Sequence, residues 1–132
     1  MAEHNEIGRI GEDIATKWLA SNDFSVIERN YSRKWGEIDI VARETSGILH
    51  FIEVKTVSYE TKALLGLAVS HGTWRPEENV HRDKQARLGR AIQTWLRENN
   101  HKGDWKIDIL ALRMVPREKY CTVKYLENVI FE

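Results

Sequence analysis

The chain of 132 residues is long enough for one compact domain with a core and too short for two, so we expect a single domain over residues 1–132. Its composition, 42% hydrophobic and 30% charged, excludes a disordered chain and is ordinary for a globular protein. The 20 basic residues balance the 20 acidic ones, so any binding of nucleic acid must rely on a local basic patch.

Cysteine, histidine and hydropathy patterns exclude several further classes. Cys121 is the only cysteine, which excludes an internal disulfide and a cysteine-rich zinc site. The five histidines show no metal-ligand spacing, and we expect all of them to be non-ligands. The first residues lack the apolar core of a signal peptide, and no stretch approaches the roughly 20 apolar residues of a membrane span. We therefore expect a cytoplasmic protein.

The first half of the chain predicts a helix followed by three strands. Apolar residues recur at spacings of three and four over about residues 4–21, which is typical of an amphipathic helix. A strand is predicted over about 24–31, followed by a polar turn. Two further strands, at about 37–43 and 48–57, are joined by a loop that suits a hairpin.

The second half predicts one more helix and two strands. Residues 58–79 are ambiguous, because their ALLGLAV stretch suits either a short strand or a helical turn. A helix is predicted at about 80–99, and strands at about 105–114 and 119–131. The order α-β-β-β-α-β-β predicts an α/β fold in which helices flank a mixed sheet.

The hairpin GEIDIVARETSGILHFIEVKT (36–56) places charged residues inside apolar strands. Alternation puts Glu37, Asp39 and Val41 on one face of the first strand, opposite a face that consists of Ile38, Ile40 and Ala42. The second strand presents its glutamate and lysine on one face, together with three apolar residues. That face consists of Leu49, Phe51, Glu53, Lys55 and Val57.

Pairing the two strands brings carboxylates together. If Arg43 lies opposite Leu49, then Val41 meets Phe51, Asp39 meets Glu53 and Glu37 meets Lys55. Opposed Cβ atoms lie about 4.5–5.5 Å apart, so the two carboxylates repel unless a cation lies between them. Mg²⁺ takes oxygen ligands and commonly uses one or two carboxylates, which makes it the expected ion.

Glu12 is a candidate third carboxylate. It lies at the border of the apolar stripe of the first helix, where it could reach the edge of a packed sheet. Gly8 and Gly11 would allow that helix to approach the sheet closely. An alternative remains open for the whole set: the charges could form a solvated sheet face with cross-strand ion pairs.

The motifs GEIDIVA (36–42) and FIEVKT (51–56) together resemble the YraN-like family, which is similar to the PD-(D/E)XK nuclease superfamily and its Holliday-junction-resolvase-like branch. Matches elsewhere extend the resemblance over most of the chain. They are Gly8, Gly11, Glu12 and Ala15, then Asn30 and Tyr31, then Lys84, Leu88 and Ala91, and finally residues 107–110.

The resemblance implies a restriction-endonuclease-like core and a Mg²⁺-dependent DNA endonuclease, with Mn²⁺ as a substitute, acting on branched or damaged DNA. Asp39, Glu53 and the backbone carbonyl of Val54 would hold the metal. Lys55 would activate the attacking water, and Glu12 would hold a second metal ion or a water. Because related resolvases act as dimers, a homodimer is also implied.

Two departures from the resemblance concern the site and its surroundings. Ile38 replaces the proline that precedes the aspartate in the superfamily. The linker over residues 57–80 is longer than the family pattern predicts, and it lies where substrate loops or dimer contacts often lie.

Basic and aromatic residues supply candidates for nucleic-acid contacts. They are Arg33, Lys34 and Trp35 in the predicted turn, Arg75, Arg82, Lys84, Arg87 and Arg90 around the start of the second helix, and Trp74 in the ambiguous segment. Lys84 is in line with the apolar face of its helix. It could reach the phosphate at the active site, or it could be a lysine whose stem packs while its ammonium reaches solvent. Alternative functions are an inactive nucleic-acid-binding module of the same fold and a protein-interaction domain.

Overall fold

The structure is a computed structural model that describes residues 2–72 and 80–129, with side chains described from residue 6 onward in those ranges. The elements in chain order are α1 (Ala2–Ser21), β1 (Phe24–Arg33), β2 (Gly36–Glu44), β3 (Leu49–Ser58), α2 (Lys62–His71), α3 (Arg82–Glu98), β4 (Trp105–Val115) and β5 (Tyr120–Leu126), with a 3-10 turn at Pro116–Glu118. The five strands form one sheet in the order β1-β2-β3-β4-β5. Only β3 and β4 are parallel, so the predicted mixed sheet is confirmed.

Each face of the sheet carries one long helix and one core cluster. The cluster under α3 contains Tyr31, Ile38, Val41, Leu49, Phe51, Leu88, Ala91, Ile92 and Trp95. The cluster under α1 contains Ala15, Leu19, Ile40, Ala42, Ile52, Leu110 and Leu112. Because both helices are amphipathic, each buries its apolar stripe while its polar face stays exposed. No helix in the described ranges is long and apolar enough to cross a membrane.

The segment that the sequence left ambiguous contains a helix, α2. Its first turn is capped by the Thr61 side chain, which accepts a hydrogen bond from the Leu64 amide, and it ends at Gly72 with φ +62°. Leu65 is the residue that α2 buries. The order therefore has two helices between β3 and β4 instead of the predicted one. Trp74 and Arg75 lie outside the described residues.

The prediction that Ile38, Ile40 and Ala42 share one face is wrong. Ile38 packs in the cluster under α3, whereas the other two pack under α1. The neighbouring strand explains the change of face: Asn30 has a left-handed φ of +55° and lies between the paired positions on either side of Asp39. The chain therefore turns over at Asp39.

The predicted hairpin register is confirmed where the strands pair. Arg43 lies opposite Leu49, and Val41 lies opposite Phe51. The ladder ends at the pair Ile40 and Ile52, so the expected direct oppositions of Asp39 with Glu53 and of Glu37 with Lys55 do not form. β2 and β3 separate at this point.

Candidate active site

An open cavity of about 520 Å³ lies where β2 and β3 separate, between the two long helices. Its lining combines polar groups from four elements. The lining residues are Ile7, Gly8 and Glu12 of α1, Asp39 of β2, Val54, Thr56, Val57 and Ser58 of β3, and Lys84 of α3. Asp39, Glu12 and Lys84, three of the residues singled out from the sequence, therefore meet in one cavity.

Asp39 is held in place by the backbone of the neighbouring strand. Its Oδ2 accepts a hydrogen bond of 2.9 Å from the Val54 amide. The Asp39 carboxylate thus accepts the hydrogen bond that a backbone carbonyl of β2 would accept if the ladder continued. Without it, the separation of the strands would leave the Val54 amide without this partner. The second carboxylate oxygen is not fixed by that bond.

Glu53 is the most deeply buried acidic group near the cavity, with 1% of its surface exposed. The Lys84 ammonium lies 2.5 Å from its Oε1, and the Lys55 ammonium lies 4.0 Å from the same atom. Oε1 nevertheless accepts no hydrogen bond of standard geometry from the described residues, and we regard its contacts with the lysines as ion pairs. A buried oxygen of this kind retains the capacity to coordinate a cation.

Burial raises the pKa of Glu53 to about 7, and the nearby charge of Asp39 adds to the increase, while Lys84 opposes it. Burial alone would lower the pKa of Lys84, but the Glu53 carboxylate outweighs this effect and the Lys84 pKa is raised. The ionised Glu53 carboxylate is therefore held in a buried position that disfavours its charge, and the Lys84 ammonium offsets part of that free-energy cost. Such strongly perturbed groups in a cavity are typical of functional sites.

Glu12 faces the cavity from α1. Its pKa is raised by burial and by Asp39, and lowered by Arg29, whose guanidinium lies 3.2 Å from Glu12 Oε1. Gly11 is buried, and a Cβ at this position would overlap the Thr56 side chain, so the predicted close approach of α1 holds there. Gly8 has no atom within 4 Å of such a Cβ, so no close approach requires that glycine.

The donor set fits a hard divalent cation. Asp39 and Glu53 interact electrostatically, and Asp39 interacts in the same way with Glu12, so three carboxylates share one region. Oxygen donors in this number suit Mg²⁺ or Mn²⁺. Among the described residues, however, ligand atoms of Glu12, Asp39 and Glu53 do not all lie within 4.8 Å of one another, so the three carboxylates are not arranged to hold one ion together in this structure.

The basic residues predicted from the sequence divide into two groups. Lys84 lines the cavity and contacts Glu53, and Arg87 is paired with Glu37 at 3.0 Å on the same side of α3. Arg82, at the start of α3, is exposed.

The predicted basic and aromatic residues of the β1–β2 turn lie beside a later part of α3. Arg33 pairs with Glu98 at 2.8 Å, and Lys34 is exposed. Trp35 is 42% exposed and donates a hydrogen bond of 2.8 Å to Thr94. Its indole lines a separate shallow cavity with Arg90 and other α3 residues. These three residues do not line the first cavity.

Sequence reasoning overlooked a buried polar cluster at the other end of β3. His50 and Asp108 are both fully buried and in contact with each other, and Glu44 contacts the other side of the His50 ring. The available signal was a histidine at the start of a strand, just across a hairpin loop from a glutamate. Glu44 and His50 flank that loop.

Comparison with known proteins identifies relatives over nearly the whole chain. A family profile with the description "Uncharacterised protein family UPF0102" matches residues 11–112. A UPF0102 protein of Beutenbergia cavernae is 38% identical over 130 residues, covering 98% of this chain and 99% of the relative. The chain belongs to the UPF0102 family. The resemblance to the YraN-like family is thus confirmed.

Other UPF0102 proteins are similar at comparable levels. One from Dictyoglomus turgidum is 32% identical over 126 residues, covering 95% of this chain and 97% of the relative. One from Campylobacter concisus is 31% identical over 106 residues, covering 80% and 82%. The range matched by the UPF0102 profile includes every residue of the cavity from Glu12 to Lys84 and ends within β4.

Proposed function

We propose that this UPF0102 protein is a Mg²⁺-dependent endonuclease that hydrolyses phosphodiester bonds in DNA, with Mn²⁺ able to substitute. The observation that carries the proposal is Glu53, a buried carboxylate whose Oε1 has two lysines as ion-pair partners but no hydrogen bond of standard geometry from the described residues. It interacts electrostatically with Asp39, and both Asp39 and the ion-pair partner Lys84 line the open cavity. Hydrolysis of a phosphodiester by this route needs carboxylates that hold the metal ion and positive charge near the phosphate, and this set of side chains would supply both.

The proposed residue roles follow from position. Asp39, Glu53 and the Val54 carbonyl would hold the metal ion, and Glu12 would face a second ion or a water. When bound, the ion supplies Lewis-acid stabilisation of the phosphoryl oxygens and orients the reacting groups. The hydrogen bond from the Val54 amide preorganises Asp39 for this task before any ligand arrives.

The lysines have distinct proposed tasks. Lys55 Nζ would orient the attacking water and stabilise negative charge on the phosphoryl group. Lys84, whose side chain is 39% exposed, has the ammonium closest to Glu53; it neutralises that carboxylate in the free protein and would turn to the substrate phosphate when a cation replaces it. The long flexible stem of lysine permits this movement.

Binding of the polyanion would use the surface of α3 and the β1–β2 turn. Arg82, Arg87, Arg33 and Lys34 would contact phosphates, which gives affinity without sequence specificity. Trp35 presents its indole to solvent and would stack on an exposed base. Branched or damaged DNA offers such unstacked bases, which is why we propose it as the substrate class.

One observation favours a second candidate, a nucleic-acid-binding module that does not cleave. Arg29 is paired with both Glu12 and Asp13, so it occupies a carboxylate that the nuclease proposal assigns to the site.

The exposed apolar side chains of α2, Leu64, Leu67 and Val69, are the feature that a protein-interaction domain would use.

A cleavage assay separates these candidates. Labelled linear, nicked and four-way DNA would be incubated with Mg²⁺ or Mn²⁺, comparing the wild type with Asp39→Asn. We expect cleavage by the wild type and a loss of at least about 100-fold in the variant, with DNA binding retained. Asp23→Asn is the matched control, since Asp23 is exposed, away from the cavity, and has a φ of +68° that asparagine tolerates.

Two outcomes would overturn the proposal. Binding to DNA without cleavage of any substrate would favour the inactive module. Equal cleavage by the wild type and Asp39→Asn would mean that the activity does not originate in this cavity.

A further inference from the structure

A second cluster of metal-type ligands lies at the opposite end of β3. It consists of Glu44 at the end of β2, His50 at the start of β3 and Glu127 just after β5, and one ligand atom of each lies within 4.8 Å of those of the others. His50 shares the face of Ile52, which packs under α1, whereas Glu53 shares the face of Phe51, which packs under α3. The cluster is therefore separate from the candidate active site.

The hydrogen-bond partners of His50 fix its tautomer. The fully buried imidazole places Nδ1 2.5 Å from Asp108 Oδ2. The Tyr125 hydroxyl donates to that same oxygen, and the Asn128 amide donates to Asp108 Oδ1. Because the buried carboxylate is surrounded by donors, it acts as an acceptor, and Nδ1 of His50 is the nitrogen that carries hydrogen.

This tautomer leaves Nε2 as the nitrogen that faces the carboxylates. It lies 3.1 Å from Glu44 Oε2. A lone pair and a carboxylate oxygen at that distance repel unless a positive charge lies between them. Either a proton on Nε2 or a metal ion provides it, and a second carboxylate, Glu127, stands beside the same gap.

We propose that Glu44, His50 and Glu127 bind a divalent transition-metal ion of the Zn²⁺ class. One imidazole nitrogen with two carboxylate oxygens suits Zn²⁺, whereas Mg²⁺ prefers oxygen donors alone. Two ligands of a tetrahedral zinc ion lie about 3.4 Å apart, close to the distance between Nε2 and Glu44 Oε2. This reverses the expectation from the sequence that no histidine is a ligand.

The groups behind the ligands support the same assignment. A histidine that binds a metal usually donates its other N–H to a carboxylate, which is the role of Asp108 here. Glu44 is oriented by Ser46, whose hydroxyl donates to its Oε1 at 2.6 Å, so Oε2 remains for the ion. Lys106 pairs with Glu127 Oε1 at 3.0 Å and restrains that exposed side chain beside the gap.

The ion would join three parts of the chain that are distant in sequence. β2, β3 and the segment after β5 would share one ion, so we expect it to stabilise the fold rather than to act in catalysis. That segment is also attached by the ion pair of Glu127 with Lys106 and by the bonds from the Asn128 amide to Asp108 and from the Val129 amide to the Ile107 carbonyl.

The test is a titration with Zn²⁺ by calorimetry, using chelator-treated full-length protein that carries Asp39→Asn to weaken the first site. We expect one ion per chain. Adding Glu127→Gln should weaken the affinity at least about 10-fold, and because Glu127 is exposed the fold should survive the change. His101→Gln, at a histidine outside the cluster, is the matched control and should bind Zn²⁺ as the parent does.

Two further readouts distinguish this site from a surface site. Co²⁺ should give visible absorption bands of a tetrahedral nitrogen and oxygen site in the parent, and Glu127→Gln should lose them. Zn²⁺ should raise the melting temperature of the parent more than that of Glu127→Gln. Absence of binding, or an affinity that Glu127→Gln and Glu44→Gln both leave unchanged, would overturn the proposal.

Discussion

Two buried polar groups of β3, one at its start and one at its middle, are paired in opposite ways. At its start, His50 contacts carboxylates through both ring nitrogens, and Asp108 receives donors on both oxygens. Three residues later, Glu53 is equally buried, but its Oε1 accepts no hydrogen bond of standard geometry from the described residues. The donors around Asp108 stabilise the fold whether or not an ion joins His50 and Glu44, whereas an incompletely paired buried charge with a raised pKa is typical of a catalytic or substrate-binding site.

The sharpest test of this contrast replaces a carboxylate by an amide at each end. We expect Asp108→Asn to lower the free energy of unfolding by about 3–5 kcal/mol, because it removes one partner of a fully buried pair. Glu53→Gln should change it by less than about 1 kcal/mol in the absence of metal, because the lost ion pair is offset by the removal of a costly buried charge. Urea unfolding of both variants measures the difference, and equal losses would show that the two ends are energetically alike.

A second test concerns the lysine that neutralises Glu53. If the nuclease proposal is correct, Lys84→Met should reduce cleavage about 100-fold, because a positive charge near the phosphate is lost while the packing of the stem is kept.

Lys17→Met is the matched control, since Lys17 is exposed on α1 and does not line the cavity. Equal reductions in the two variants would mean that Lys84 contributes only through the overall charge of the protein.

The third test concerns the close approach of α1 to β3 near Glu53. Gly11→Ala should cost about 1–2 kcal/mol, because its Cβ would overlap Thr56 of β3. Gly8→Ala, one turn away, should instead gain about 0.5–1 kcal/mol, since alanine is the better helix former and the position is open.

Thermal unfolding of the two variants checks the sign of each change. Adding Thr56→Ala to Gly11→Ala should restore part of the loss. Failure to do so would show that the overlap with Thr56 is not the cause.

Local sequence patterns were sufficient for the hairpin register but not for where the pairing stops. Arg43 opposite Leu49 follows from alternation and loop length, which are local properties. The end of the ladder depends on Asp39 capturing the Val54 amide, and the change of face at Ile38 depends on the left-handed backbone of Asn30. The alternation of apolar and polar residues along a strand does not show whether a side chain will take the hydrogen-bond partner of a backbone group.

The site residues were predictable to the extent that they share one strand or one motif. Lys84 was left open between two interpretations because its direction depends on the packing of α3, and the structure places it 2.5 Å from Glu53. His50 was dismissed because its partners, Asp108 and Glu127, are about 58 and 77 positions away in the chain. Spacing rules for metal sites detect ligands that are close in sequence, and these are not.

The last comparison concerns a third buried polar group, Tyr31, which has a hydrogen-bond partner as Asp108 does. Its hydroxyl donates to Glu98 at 2.7 Å, and burial, together with that carboxylate, raises its pKa to about 12. Free tyrosine ionises near pH 10, so the unfolded chain loses this proton first, and the stability that the phenol contributes is complete below pH 10 and lost as the pH rises towards 12. Tyr31→Phe should be less stable than the wild type by about 1 kcal/mol at pH 8, and the difference should shrink between pH 10 and pH 12. Urea unfolding at several pH values measures it, and a constant difference would mean that Tyr31 contributes by packing alone.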